Sequence, residues 1–261
     1  MLKWNENEQS WVEIYKALNE WGLEPFENLL TASQYWIVYE KFTQILPAGS
    51  SVLDWGCGEG HFSYFLLNNE YKVNAYSLKP VEELHWKGCS VLKKFETQFS
   101  SSFSFKEAEC DDPVELPYPD ETFDAVASIG VLEHVRQAGG DELKSLLEIR
   151  RVLKPGGLFL CFHFPNQFSW IDALARQIPG KLFHPYRYTQ NDIEALNLSA
   201  DLKLVETGSY AALPRNTLTK LPKIIKNRME CVKIFNQLDQ ILLSVFRRYV
   251  QNHYFISRKS C

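Results

Sequence analysis

Three glycines at alternate positions, Gly56, Gly58 and Gly60, stand between a strand-like run from Ser51 to Trp55 and a helix-like run that opens at His61. An apolar stretch of this length reads as a central parallel strand, and the glycines after it require a sharp turn straight into a helix. Glycine at such places lets backbone come close to a ligand, while the amide groups that open the helix point at polar groups beyond the sheet edge. The run is a cradle of the nucleotide-binding kind or, with no ligand, a tight strand-to-helix turn. Spacing narrows the nucleotide. A dinucleotide fingerprint requires glycine or alanine three residues after the second glycine, where His61 stands, and no Gly-Lys-Ser or Gly-Lys-Thr follows to make a phosphate loop.

Beyond the cradle the chain alternates strands and helices, as a parallel sheet requires. Strands are expected at Tyr71–Ser77, Phe103–Cys110, Thr122–Ser128, the run LFLCFHF after Lys154-Pro155-Gly156-Gly157, residues 201–209 and His253–Lys259, with helices over 61–69, most of 81–100 and 141–153. Thr189 and Asp192 mark a capped helix start. Ahead of the first strand, Ser10 to Leu46 reads as two or three helices, with Trp11, Ile14, Tyr15 and Leu18 at helical spacing. Between the last two strands lies a basic amphipathic helix. Its residues Ile225, Met229, Val232, Phe235, Leu238, Leu242, Val245 and Tyr249 fall on one stripe, flanked by Lys223, Lys226 and Arg228.

The segment Asp54-Trp55-Gly56-Cys57-Gly58-Glu59-Gly60 resembles the first motif of the class I S-adenosylmethionine-dependent methyltransferases. Two further segments are similar to that family: Ile129-Gly130-Val131-Leu132-Glu133-His134-Val135 after the fourth strand, and Leu153-Lys154-Pro155-Gly156-Gly157 before the fifth. The resemblance implies S-adenosyl-L-methionine as cofactor, its methionine part beside Gly56, Cys57 and Gly58 and flanked by Ile129 and Gly130, and its amino group held by Asp54. It also implies that Glu133 and His134 face the place where the methyl leaves. Ser77 stands where the family carries an acid for both ribose hydroxyls, a substitution that leaves one good hydrogen bond in place of two. Asp112, with Asp111 as the fallback, matches the acid beside the adenine amino group, although Asp-Asp-Pro is also a good turn. The implied fold is α/β, a Rossmann-like three-layer sandwich around a seven-stranded, mostly parallel sheet. An N-terminal helical cap (1–50), a cofactor-binding core (51–213), a helical insertion (214–251) and the last core strand (252–261) make up the chain.

Composition agrees with a globular enzyme: 45% of the 261 residues are hydrophobic and 23% charged. The opening MLKWNENEQS is polar and acidic, and no apolar run approaches the roughly eighteen residues of a membrane span, so a cytoplasmic protein is expected. The six cysteines contain no Cys-x-x-Cys pair and are read as reduced, with no metal site. From Arg215 onward ten Lys or Arg face two acids, so the insertion is a basic module on an otherwise acidic chain. It is read as a lid over the acceptor site, with contact of 223–250 with an anionic membrane as the competing reading.

The expected function is methyl transfer to a small-molecule or glycan acceptor, at a hydroxyl oxygen. A sulfonium methyl is already activated, so the protein must chiefly align acceptor and methyl and exclude water. His134 is the expected base, since its ordinary pKa is near neutrality, with His163 and His184 in reserve. Two alternatives stay open: a cofactor-binding protein without catalysis, and an enzyme acting on a lipid-linked acceptor at a membrane surface. A nucleic-acid acceptor has only the basic tail in its favour, which lacks a known binding module.

Overall fold

Apolar runs five to seven residues long, set between helices, have to pair side by side with both faces covered. The computed structural model, which describes residues 8–77, 88–108, 112–181 and 183–260, arranges them in this way. Strands β1 (Ser51–Trp55), β2 (Lys72–Ser77), β3 (Phe103–Glu107), β4 (Phe123–Ile129), β5 (Leu153–Pro165), β6 (Leu202–Tyr210) and β7 (Asn252–Lys259) form one sheet in the order β3-β2-β1-β4-β5-β7-β6. β1 to β5 run parallel, and β7 is antiparallel to both its neighbours. The chain winds outward from β1 to β3 and then returns to place β4 against β1. The strand order therefore reverses between β1 and β4, where an open α/β sheet leaves a crevice at its carboxyl ends. Asp54 stands at that edge, opposite Ala75 on β2 and Ala127 on β4.

Alternation along each strand sends successive side chains to opposite faces. Val52, Ala75 and Ala127 pack under α1 (Glu8–Glu20), α2 (Leu29–Ala32), α3 (Trp36–Ile45), α4 (His61–Asn68) and α5 (Gly88–Gln98) through Trp11, Leu29, Phe42, Leu66 and Phe95. Leu53, Trp55 and Val126 meet Leu146 and Ile149 of α6 (Glu142–Val152) on the other side. A short α7 (Trp170–Ala175) precedes α8 (Gln190–Ser199), whose Ile193 joins that second core and whose start is the expected capping box of Thr189 and Asp192.

The insertion between β6 and β7 forms α9 (Lys223–Lys226) and α10 (Met229–Phe246). Here the structure departs from the sequence pattern, because the expected apolar stripe does not face inward as a whole. The buried residues of α10 are Val232, Asn236 and Asp239, while Leu238 and Val245 stand exposed. The cause is Arg215. Its buried guanidinium donates to Ser33 Oγ at 2.6 Å and Asn236 Oδ1 at 2.7 Å and lies 3.4 Å from Asp239 Oδ2. A buried charge has to be paired, so the polar side of the helix is drawn inward against α2.

Candidate active site

The glycine turn is built as a cradle. The amides of Gly56 and Cys57 donate to the Tyr76 carbonyl at 2.8 and 3.0 Å, tying the turn to β2. Gly56 (φ +71°) has no room for a side chain, since one would strike Val131. Gly58 (φ +51°) differs: beyond the Gly56 carbonyl at 4.0 Å, a side chain there would enter open space. Cys57 is buried, its thiol 3.9 Å from the Gly58 carbonyl. On the floor of the cradle Asp54 is 2% exposed and accepts from Ser63 Oγ at 2.6 Å. Burial outweighs that bond and pushes the carboxyl up to about 6. A desolvated carboxylate under an open glycine turn suits a ligand that brings a cation, as the ammonium group of S-adenosylmethionine does.

Ser77 closes β2, opposite Glu107, and is buried. Asp112 is exposed, and its Oδ1 accepts from the Val114 amide at 2.8 Å, so in this structure the carboxylate shapes its own turn. Asp111 lies outside the described residues. Ile129 ends β4, and Gly130 follows with φ +74°.

Gly130 borders a second set of groups. A side chain on it would point to 3.7 Å from Glu133 Oε1 and 4.0 Å from His163 Cβ. Glu133 is 3% exposed, its Oε2 has no hydrogen-bond partner among the described residues, and burial pushes its carboxyl up to about 8. His163 owes its direction to an irregularity of β5, whose register against β7 shifts between Cys161 and Phe164. One extra residue there, with φ +63° at His163, turns the imidazole out of the ladder.

Partners fix the tautomer of His163. Its amide donates to the Tyr210 hydroxyl oxygen at 2.6 Å, and the hydroxyl proton then points to Nδ1 at 3.0 Å. The Asn252 amide adds a donor 3.3 Å from the same nitrogen. Nδ1 is thus an acceptor and Nε2 carries the proton; Nε2 is buried without a partner among the described residues. Burial, with His184 nearby, lowers the imidazole to about 4, so it is neutral. Tyr35, in the turn before α3, stands beside the group, 4.4 Å from the His61 ring and 5.4 Å from that of His163. Burial, helped by Glu24 and Glu59, pushes the Tyr35 phenol up to about 12. Tyr39 meets His61 Nδ1 at 2.9 Å.

His134 does not join this set. It is exposed and its Nδ1 lies 3.1 Å from Gln137 Oε1, with the His184 ring 6.2 Å away. Leu132–His134 is a turn of 3₁₀ helix, in which neighbouring side chains diverge by about 120°, so Glu133 points inward and His134 outward. His184 is held by buried Asp172, with Nδ1 to Oδ2 at 3.1 Å. Tyr210 and Asn252 were not singled out by sequence, for they reach the site only because β6 and β7 fold back beside β5.

Residues 53–161 match the family described as "Methyltransferase domain". An uncharacterized methyltransferase of Schizosaccharomyces pombe is 31% identical over 131 residues, covering 50% of this chain and 44% of the relative. The tRNA (carboxymethyluridine(34)-5-O)-methyltransferase of Arabidopsis thaliana is 32% identical over 125 residues, 48% of this chain and 26% of its own. The chain thus spans less than half the length of either relative. Among solved structures, the Burkholderia thailandensis 1,6-didemethyltoxoflavin-N1-methyltransferase, with S-adenosylhomocysteine bound, superposes with a TM-score of 0.57 at 14% identity, covering 100% of this chain and 92% of that one.

Proposed function

We propose that this chain, whose residues 53–161 form a class I S-adenosylmethionine-dependent methyltransferase domain, methylates a hydroxyl oxygen of a small-molecule or glycan acceptor with Glu133 as the base. The observation that carries the proposal is the pair of buried atoms without a hydrogen-bond partner among the described residues, Glu133 Oε2 and His163 Nε2, whose residues both flank Gly130 beside the cradle. When bound, S-adenosylmethionine supplies an electrophilic methyl group whose transfer leaves S-adenosylhomocysteine. Asp54 would hold the amino group, Gly58 would leave room for the methionine part beside Gly56, Cys57, Ile129 and Gly130, Ser77 would take one ribose hydroxyl, and Asp112 or Asp111 would meet the adenine.

Glu133 would take the hydroxyl proton of the acceptor at Oε2 as that oxygen is methylated. Desolvation suits it to this, since a carboxylate near 8 is a far stronger base than an ordinary one. His163 donates from Nε2 to a second oxygen of the acceptor and so fixes its orientation. The Tyr35 ring, 5.4 Å from that of His163, supports a small acceptor, because an aromatic wall at that distance limits its size.

The Arabidopsis relative supports a second reading, an RNA acceptor. Isothermal titration with S-adenosylmethionine, followed by transfer of labelled methyl into separate pools of small molecules, glycans and RNA, tests the proposal. Label in the first two pools is expected. Label in RNA alone would favour the second reading, and binding with no transfer to any pool would favour a non-catalytic protein.

A further inference from the structure

Because Arg215 draws Asn236 and Asp239 inward, much of the apolar side of α10 is left at the surface. Ile234, Leu238, Ile241 and Val245, spaced by four, three and four residues, form one straight exposed stripe, from 50% to 68% accessible. The apolar surface continues across a cavity of about 400 Å³ lined by Leu242, Phe246 and Tyr249 on one side and Trp170 of α7 on the other. Of the seventeen large apolar residues exposed among the described residues, thirteen lie within 168–183 and 224–249. Soluble monomers scatter such residues, and their concentration in these two stretches, which meet at the groove, marks an interaction surface.

Charge decides what the surface meets. Between 220 and 248 there are seven basic residues, Lys220, Lys223, Lys226, Arg228, Lys233, Arg247 and Arg248, against Glu230 and Asp239. Asp239 is buried with Arg215, so Glu230 is the one acid of this stretch at the surface. Protein–protein interface cores are depleted of lysine, whereas helices that lie in a membrane interface combine an apolar face with Lys and Arg. Anionic lipid headgroups attract such basic segments. Among the described residues no helix is long and apolar enough to cross a membrane, which leaves an in-plane mode.

We propose that the outer face of α9 and α10, together with α7, docks on an anionic lipid bilayer, the stripe and groove entering the boundary between headgroups and acyl chains. The inference does not depend on the transfer chemistry or on the acceptor.

Sedimentation of the full chain with vesicles of phosphatidylcholine, with and without phosphatidylglycerol, at low and high salt, tests it. Wild type is expected to sediment with the anionic vesicles and to be released by salt. Both Ile234→Asp/Val245→Asp and Lys223→Glu/Lys226→Glu are expected to weaken partition at least tenfold while leaving S-adenosylmethionine affinity unchanged. Wild type remaining in the supernatant with both vesicle types would overturn the proposal. So would a concentration-dependent dimer dispersed by Ile234→Asp without vesicle binding, which would assign the face to a second copy of the chain.

Discussion

Tyr210 and His163 are bonded twice: the tyrosine hydroxyl oxygen accepts from the His163 amide at 2.6 Å, and its proton points back to Nδ1 of the same residue at 3.0 Å. One side chain from β6 therefore holds both the irregular backbone of β5 and the tautomer of its imidazole. Tyr210→Phe removes the proton that selects Nε2–H and the acceptor that steadies the bulge. The expected result is a fall in kcat of about tenfold to a hundredfold, the scale of small misplacements in an aligned site, with S-adenosylmethionine affinity unchanged. Equal loss of both would make Tyr210 a merely structural residue.

The cradle glycines differ in what they tolerate. At Gly56 a side chain meets Val131, and Gly56→Val is expected to cost stability by about 1–3 kcal/mol, as overpacking does. At Gly58 a side chain meets open space but keeps φ +51°, which a β-branched residue adopts only under strain. Gly58→Val should therefore cost about 1–2 kcal/mol and still leave a folded chain, one that no longer binds S-adenosylmethionine by calorimetry. Ser77→Asp, restoring a carboxylate at the end of β2, should tighten binding.

Asp239 holds the insertion in place through Arg215. Asp239→Ala leaves a buried guanidinium short of its counter-charge and is expected to cost about 3 kcal/mol in chemical denaturation. Replacing both as Arg215→Met/Asp239→Leu should recover a good part of that loss, since an apolar pair has no charge to desolvate.

Glu133 also links stability to pH. Its carboxyl stays protonated in the folded chain up to about pH 8, whereas the unfolded chain releases that proton near 4.5. The folded state binds the extra proton between these values, so stability falls as pH rises through this window. Glu133→Gln cannot ionise, and its Tm should lack that share of the decline across this window.

The sheet and its cradle were legible because they follow from local pattern: glycines at alternate positions after Trp55, and apolar runs set apart by helices. The inward turn of Glu133 and outward turn of His134 was not, since both carry polar groups and only the 3₁₀ turn separates their directions. The bulge at His163 was hidden as well, because LFLCFHF reads as one unbroken strand. For α10 periodicity identified the helix but not its inward side, which is set by Arg215, a residue fourteen positions before the helix begins.

The pH profile of methyl transfer into the acceptor, compared for wild type and Glu133→Gln, tests the base assignment most directly. A base acts deprotonated, so wild-type kcat should climb through an apparent pKa near 8 and level off above it, while Glu133→Gln should be at least a hundredfold slower and flat across the same range. A Glu133→Gln enzyme that keeps wild-type rate and profile would contradict the account.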